Sequence, residues 1–240
     1  MYYVDVLDGI SLLKMQSEKT AAAVLPHPPK VIIFDFDGVI LDSANIKLRA
    51  YSAIYSGEDP KKLAALISHS QLHGGITRRT KFEYYEREFF GRNGDPASVE
   101  ALCQRYSDIV FKAVLACPFI EGAEQLLRRA SGKVAMHVVS GTPDSELHQV
   151  IQERGLAQFF RSVRGAPATK RDAFHRITTD EAFACKDMLV IGDSITEYMA
   201  AQDVGIPFLG ILPAAIENPF PASVHVWPTL RNAEKRLRIE

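Results

Sequence analysis

A short apolar run that ends in two aspartates constrains the fold of this chain more than any other feature. Val31–Phe34 is continuously apolar and mostly β-branched, which is typical of a strand buried on both faces of a parallel sheet. Asp35 and Asp37 follow it, and alternate residues of an extended segment point the same way. Because open α/β sheets bind ligands at the carboxyl edge, we expect both carboxylates to meet there. Two carboxylates so close together repel each other. A cation bound between them, or a role in catalysis, would explain why the chain tolerates this repulsion.

Further segments are predicted as strands, with amphipathic helices between them. The candidates are Val134–Val139, Phe159–Val163, Met188–Ile191, Ile206–Ile211 and Val224–Trp227. Apolar spacing predicts helices over 118–130, 144–154 and 171–177. This order is that of an α/β fold whose parallel sheet is flanked by helices.

Polar residues at the ends of these strands are suited to phosphate or to a metal. Ser140 and Gly141 follow the second strand, where a hydroxyl and nearby backbone N–H groups at a helix start can bind phosphate. Lys170 begins a helix after the loop 165–169, and Asp193 follows the fourth strand. Taken singly, each of these residues also fits an ordinary capping or surface role.

Together these motifs resemble those of the haloacid dehalogenase superfamily, in particular its phosphoglycolate phosphatase and β-phosphoglucomutase-like branch. The first motif of the family's phosphatases is Asp-x-Asp-Gly-x-x-x-Asp-Ser/Thr, which is matched by Asp35, Asp37, Gly38, Asp42 and Ser43. The second, third and fourth motifs follow in the same order, on Ser140, Lys170 and Asp193. The resemblance extends from Val31 to about Leu212 and implies a Rossmann-like core.

The resemblance implies a Mg²⁺-dependent phosphatase of a small phosphorylated metabolite, plausibly a sugar phosphate. Asp35 would attack phosphorus and form an aspartyl-phosphate. Asp37 would protonate the leaving oxygen, and its pKa must be high enough for that step. Ser140, with Gly141 beside it, and Lys170 would hold the phosphate oxygens. The implied Mg²⁺ ligands are Asp35, Asp193 and the backbone carbonyl of Asp37.

The fourth motif departs from the family pattern at one position. Glu197 replaces the second Asp of Gly-Asp-Ser/Thr-x-x-Asp. Its longer side chain can reach a water on the metal, with Ser194 as its neighbour in the motif, but direct coordination stays open. The alternative is that Glu197 only favours the dipole of the first helical turn.

The segment between the first two strands is helical in pattern and has no strand signal. Apolar residues at three-to-four spacing predict helices over 44–55, 60–70, 79–90 and 98–116. The resemblance identifies residues 44–117 as an all-α C1 cap domain that closes over the site, inserted in a core of 31–43 and 118–240. Residues 1–30 form an N-terminal extension with a predicted helix, Leu13–Leu25.

A glycine-rich, basic loop inside the predicted cap is the candidate for substrate selection. Gly75 permits a tight turn, Thr77 can cap the next helix, and three cations follow, Arg78, Arg79 and Lys81. Cations are disfavoured at a helix start, which suggests an anionic ligand nearby. The loop is similar to the Gly-x-Ser-Arg loop of β-phosphoglucomutase-like members, whose Arg grips a substrate phosphate. Gly75, Thr77 and Arg78 are therefore candidate substrate-binding residues, with a solvated basic helix start as the alternative.

Two alternatives to a phosphatase stay open. Thr77 and Arg78 favour a phosphomutase of the β-phosphoglucomutase type. Those mutases carry a His four residues beyond the first-motif hydroxyl, however, and this chain has Lys47 there. A non-catalytic binding or regulatory protein is the second alternative, and the intact motif residues count against it.

Composition restricts the partners and the compartment. With 240 residues, 47% of them hydrophobic, and a formal net charge of −1, the chain can build a core but has no global field to recruit nucleic acid or an acidic membrane. No apolar run reaches membrane-spanning length, and the N-terminus lacks the pattern of a signal peptide. Three scattered cysteines, Cys103, Cys117 and Cys185, predict reduced thiols in a cytoplasmic protein. Monomer and homodimer are both compatible with the sequence.

Overall fold

Short β-branched runs form a parallel sheet of six strands with the first strand at its centre. The computed structural model describes residues 24–74, 76–214 and 216–239. The strands are β1 (Val31–Phe34), β2 (Ala135–Pro143), β3 (Ser162–Ala166), β4 (Met188–Gly192), β5 (Phe208–Ile211) and β6 (His225–Trp227). Their spatial order is β3-β2-β1-β4-β5-β6, and every neighbouring pair is parallel.

Among the described residues, four helices form the insert that follows β1, and five more helices come after the insert. The first group is α1 (Ala44–Ile54), α2 (Pro60–Leu72), α3 (Arg78–Tyr84) and α4 (Pro96–Ala116). The second group is α5 (Ala123–Ala130), α6 (Asp144–Glu153), α7 (Lys170–Glu181), α8 (Ile195–Val204) and α9 (Ala233–Arg236). A π-helical turn, Tyr85–Phe89, continues α3 directly. None of the helices that the structure describes combines the length and hydropathy needed to cross a bilayer.

The sheet carries a hydrophobic core on each face, because alternate residues of β1 point to opposite sides. Ile32 and Phe34 belong to one cluster, which includes apolar residues of α5 and α6. Val31 and Ile33 belong to the other cluster, which includes apolar residues of α7 and α8. The molecule is therefore a helix–sheet–helix sandwich, and the predicted α/β fold is confirmed.

The helical insert, residues 44–117, packs around an aromatic cluster of its own. Tyr51 of α1 lies between Phe82 of α3 and Tyr106 of α4, with ring centroids 5.4 Å and 4.7 Å away. These separations lie within the usual range for aromatic pairs. The described part of this segment contains no strand, as the sequence predicts.

Several element boundaries differ from the predictions. The helix predicted from residue 118 begins only at Ala123, because the backbone before it pairs with the turn after β1: Asp42 N donates to Pro118 O at 2.9 Å. The third strand lies at Ser162–Ala166 instead of 159–163, since residues 157–159 form a 3₁₀ turn. The helix predicted over 13–25 falls almost entirely outside the described residues.

Candidate active site

The register of the three central strands brings the motif residues to one place at the carboxyl edge of the sheet. Phe34, the last residue of β1, lies opposite Val138 of β2 and Ile191 of β4. Asp35 follows Phe34 directly, while Ser140 and Asp193 each come two residues after those partners. Ser140 and Asp193, each more than a hundred residues from Asp35 in sequence, thus emerge beside it.

A tight turn after β1 brings the backbone at Gly38 into close contact with Asp193. Gly38 has a positive φ of 81°, and its N–H donates to Leu41 O at 2.8 Å. A Cβ atom at Gly38 would stand only 2.2 Å from Asp193 Oδ2. Glycine is therefore required there both for the left-handed backbone and for the approach of the carboxylate.

Three carboxylates converge beyond this turn. Oxygens of Asp35, Asp193 and Glu197 all lie within 4.8 Å of one another. Asp35 Oδ1 is buried without a hydrogen-bond partner among the described residues, although Lys170 Nζ lies 3.3 Å away at ion-pair distance. Burial raises the pKa of Asp35 against the opposing charge of Lys170. Burial also raises the pKa of Asp193 to about 7, and the Asp35 charge adds to the effect.

The acidic cluster fits a hard divalent cation. Its donors are carboxylate oxygens, which are the ligand type that Mg²⁺ prefers. Burial raises the pKa of Asp35 and of Asp193 even beside Lys170, so their ionised forms need further positive charge, and no described residue forms a hydrogen bond with the buried Asp35 Oδ1. A cation held there would satisfy both needs.

Glu197 lies at this cluster, but both of its oxygens are already engaged. Oε1 forms an ion pair with the Lys170 ammonium group. Oε2 accepts hydrogen bonds from the Ser194 hydroxyl and from Ser194 N, the latter at 2.8 Å, which makes a capping box at the start of α8. We therefore take Asp35 and Asp193 as the carboxylates available to a metal, and Glu197 as the residue that positions Lys170.

The Asp37 carboxyl lies apart from that cluster in a network of donors. Ser43 Oγ donates to Oδ1 at 2.6 Å, Thr142 Oγ1 donates to Oδ2 at 3.0 Å, and the Lys47 ammonium group pairs with the same Oδ2. Ser140 Oγ is 3.4 Å from Oδ2. Burial alone would raise the pKa of Asp37, but the Lys47 charge and these hydrogen bonds hold it below its usual value. Donation of a proton to a leaving oxygen requires a higher pKa than Asp37 has while it is paired with Lys47.

A shift in the register of β2 orients the hydroxyl group of Ser140, the residue of the second motif. The pairing of β2 with β3 shifts register between Val139 and Pro143. Ser140 Oγ accepts a hydrogen bond from Thr142 N at 3.1 Å, and Gly141 lies half-buried between these residues. The two hydroxyls and the backbone at this bulge border the Asp37 network, where a phosphate would need donors.

The loop residues of the helical insert are engaged differently from the prediction. Arg78, 7% exposed, donates to Glu146 Oε1 of α6 at 2.7 Å, and its Cζ lies 4.7 Å from the centre of the Tyr106 ring. Thr77 caps α3 through Thr80 N at 3.4 Å. Arg78 therefore links the insert to the core, and Thr77 serves its own helix. Gly75 lies outside the described residues.

Sequence reasoning missed two residues of this site. Lys47 stands four positions after Ser43 on α1, a spacing that places both on one face of a helix. Thr142 stands two positions after Ser140, so the alternation of a strand turns both the same way. Both signals were present in the spacing, but a lone lysine or threonine at such a position is usually unremarkable.

Comparison with known proteins identifies the family. Residues 32–211 match the family model described as haloacid dehalogenase-like hydrolase. The chain belongs to this family. No curated protein sequence matches it significantly.

Solved structures of other proteins share the fold. The hydrolase YfnB from Bacillus subtilis, bound to magnesium, matches with a TM-score of 0.67 and 17% identity, over 88% of this chain and 100% of YfnB. CbbY from Rhodobacter sphaeroides with phosphate has a TM-score of 0.66 and 14% identity, over 84% of this chain and 94% of CbbY. A CbbY mutant with xylulose-(1,5)bisphosphate gives 0.66 and 13%, over the same shares. At these identities the likeness shows the fold alone.

Proposed function

We propose that this protein is a Mg²⁺-dependent phosphatase that hydrolyses a small phosphate monoester, with a sugar phosphate as the leading substrate class. One observation carries the proposal: the buried Asp35 carboxylate stands beside Asp193 and Lys170, while Asp37 is held separately among hydrogen-bond donors. That arrangement offers a nucleophile, a cation site and a second carboxyl for proton transfer. The complexes of CbbY with phosphate and a sugar bisphosphate, and of YfnB with magnesium, support it as analogies of fold.

Asp35 and Asp193 would hold Mg²⁺, with the backbone carbonyl of Asp37 as the third protein ligand. When bound, the ion supplies positive charge that offsets the repulsion between a carboxylate nucleophile and a phosphate dianion. Lys170 contributes further positive charge at ion-pair distance from Asp35, and its ion pair with Glu197 keeps it there. Ser140 and the backbone of Gly141 would donate to phosphate oxygens, on which charge spreads during transfer.

Asp35 would act as the nucleophile and form an aspartyl-phosphate, which water then cleaves. Asp37 would give a proton to the leaving oxygen and later take one from the attacking water. The pair with Lys47 keeps Asp37 ionised, which suits the second of these steps. Release of Asp37 from Lys47 would then be part of the first step.

The test is phosphate release from sugar phosphates, glycolytic intermediates and nucleotide monoesters, with Mg²⁺ and with EDTA. We expect release that EDTA abolishes and that Asp35→Asn lowers by at least about a thousandfold, since it removes the nucleophile. Asp108→Asn on the exposed face of α4 makes the same chemical change away from the site and should leave activity unaltered. Release that survives Asp35→Asn or EDTA would refute the mechanism.

The phosphomutase alternative loses its main support in the position of Arg78. Its guanidinium group is already paired with Glu146 and with the Ser107 hydroxyl, so it is not free to grip a second phosphate in this state. If the panel releases no phosphate, interconversion of hexose phosphates with a bisphosphate activator is the assay that would revive the mutase.

A further inference from the structure

A groove of about 880 Å³ lies at the amino edge of the sheet, away from the candidate active site. Its wall includes residues 27–30, which lead into β1, and Ala135, the first residue of β2. The motif residues follow the opposite ends of these parallel strands. The groove is therefore separate from the proposed phosphatase site, and the proposed function makes no use of it.

The buried part of the groove wall is apolar. Pro29, Met136 and Ile239 are buried there, and Phe160 is half-buried. Phe183, which also lines the groove, keeps 37% of its surface exposed. Aromatic surface left open beside an apolar cavity is typical of a place that a ligand or another chain segment covers.

The exposed part of the wall carries four cationic side chains, and two of them have carboxylate partners. Lys30 Nζ lies 3.8 Å from a carboxylate oxygen of Asp187. Arg161 Nη1 donates to Glu181 Oε2 at 2.7 Å. These two cations are therefore already compensated by charges of the core.

The other two cations, Lys133 and Arg238, have no carboxylate partner among the described residues. Arg238 Nη2 donates to the carbonyl oxygen of Leu25 at 2.6 Å, which is a neutral group. Both side chains are exposed, so neither needs a partner for its own sake. Their place beside apolar surface nevertheless favours an occupant that is both apolar and acidic, because such an occupant satisfies the two parts of the wall together.

Residues 1–23 lie outside the described part of the chain, and part of their sequence has this character. Residues 2–8 read Tyr-Tyr-Val-Asp-Val-Leu-Asp, with five apolar or aromatic side chains, two carboxylates and no cation. So many aromatic and β-branched residues are unlike the composition of segments that stay solvated. The two carboxylates, Asp5 and Asp8, equal in number the cations that lack a carboxylate partner.

The described chain also starts at the groove. Leu25 is buried and accepts the hydrogen bond from Arg238, and residues 27–30 then form part of the groove wall. Residues 9–23 connect this point to residues 2–8 and can span roughly 50 Å when extended. Because a short tether gives an effective concentration on the order of 1 mM, a segment of the same chain is favoured over a second copy at micromolar protein concentration.

We propose that residues 2–8 dock in this groove of their own chain. Their apolar side chains lie against the aromatic wall, and Asp5 and Asp8 pair with the two cations that have no carboxylate partner. The volume of the groove is that of a pocket for a small ligand, which suits a short segment and excludes a folded domain. The proposal is independent of the proposed function, since the groove and the motif residues lie at opposite edges of the sheet.

The first experiment is zero-length cross-linking of the full chain with a carbodiimide, which joins a carboxylate to an amine that it contacts. We expect mass spectrometry to find Lys133 linked to Asp5 or Asp8. In a mixture of isotope-labelled and unlabelled protein, the link should lie within one copy. Lys133→Arg, which keeps the charge and removes the amine, should lose the link. Lys112, an exposed lysine of α4, is the matched control and should stay unlinked.

The second experiment follows amide hydrogen exchange of residues 2–8 in the full chain. We expect exchange at least about tenfold slower than in a free peptide of the same sequence, as for a segment that is docked most of the time. Lys133→Glu should reduce this protection to below about threefold. Adding Asp5→Lys or Asp8→Lys to Lys133→Glu should restore it in one of the two double variants, which identifies the partner of Lys133.

Three results would overturn the proposal. The first is no link from Lys133 to residues 2–8, or links to Lys133 and Lys112 in equal yield. The second is a link found only between two copies, which would assign the groove to a second copy of the chain. The third is protection of residues 2–8 that is absent in wild type or unaltered by Lys133→Glu. The phosphate-release panel tests the proposed function separately.

Discussion

At the scale of single residues, Lys47 governs the protonation of Asp37. In the proposed mechanism the carboxyl has to carry a proton when the leaving oxygen departs, yet Lys47 pairs with its Oδ2 and Ser43 donates to Oδ1. Lys47 also donates to Thr142 Oγ1 at 2.6 Å, so one ammonium group connects α1 to the second motif. The pKa of Asp37 is therefore set by a residue from outside the recognised motifs.

We expect Lys47→Met to raise the pKa of Asp37, because it removes the charge that outweighs burial. If protonated Asp37 assists departure, the descending alkaline limb of kcat/KM should move to higher pH for alkyl phosphates. The measurement is the pH–rate profile of wild type and variant. A substrate such as p-nitrophenyl phosphate is the control, since its good leaving group needs little protonation. An unmoved alkaline limb for alkyl phosphates would contradict this account of Lys47.

The motif residues could be predicted because strand ends and spacing identify them, whereas their partners could not. Asp35, Ser140 and Asp193 each follow an apolar run, and a parallel sheet brings such ends together. Lys47 and Glu146 act through contacts between elements, and no periodicity in the sequence reports which residue a side chain meets.

At the scale of elements, the turn after β1 requires glycine at position 38 for two separate reasons. We expect Gly38→Ala to lower activity at least about a hundredfold, because it displaces Asp193, and misplacement by about 1 Å costs that much. The left-handed backbone adds a stability cost of about 1 to 2 kcal/mol. Enzyme assays and urea unfolding measure the two effects. Gly57→Ala, at a glycine with open space around it, should change neither; similar losses in both variants would refute the explanation.

The contact between α3 and α6 offers a second prediction at this scale. A double-mutant cycle of Arg78→Met and Glu146→Gln should give a coupling energy of about 1 to 3 kcal/mol in the free energy of unfolding, because the Arg78 side chain is buried. The exposed pair of Arg79 and Glu100 within the insert is the matched control, with an expected coupling below about 1 kcal/mol. Equal coupling in the two cycles would show that the link to the core adds nothing.

The existence and order of the elements were predictable, and several of their ends were not. The sheet and the helical insert follow from hydrophobic periodicity, which is a property of single segments. The late start of α5 at Ala123 depends on backbone pairing of Asp42 with Pro118, which are far apart in sequence. The difference between the predicted and the observed ends of β3 likewise depends on how β3 pairs with β2.

At the scale of the whole molecule, the acidic cluster makes the stability of the fold depend on pH and, if the proposed Mg²⁺ site is correct, on Mg²⁺. In the metal-free protein Asp193 has a pKa of about 7, above its value of 3.8 in an unfolded chain. The folded state therefore holds a proton that the unfolded state has lost, and its stability falls as pH rises through this interval. A cation reverses that trend, because it binds the ionised carboxylate.

We therefore expect Mg²⁺ to raise the melting temperature more at pH 8 than at pH 6. A concentration of about 100 times Kd at pH 8 stabilises by about 2.7 kcal/mol, and proton competition at Asp193 should reduce this gain to roughly half at pH 6. Thermal unfolding with Mg²⁺ and with EDTA at both pH values measures the difference. Asp193→Asn should remove most of the shift and Asp108→Asn none of it. A shift of the same size at both pH values would exclude Asp193 as the titrating ligand.

The hydrogen bond from Asp42 N to Pro118 O joins the two chain connections of the helical insert at one point, next to Asp37 and Ser43. Any rotation of the insert about these connections would displace each atom in proportion to its distance from that point. Asp37 would scarcely move, whereas the parts of the insert farthest from that point would travel along the widest arc. The residues proposed to break the phosphate ester thus sit where mutation of the distant helices disturbs them least. Such an arrangement lets substrate preference diverge during evolution while the reaction itself is conserved.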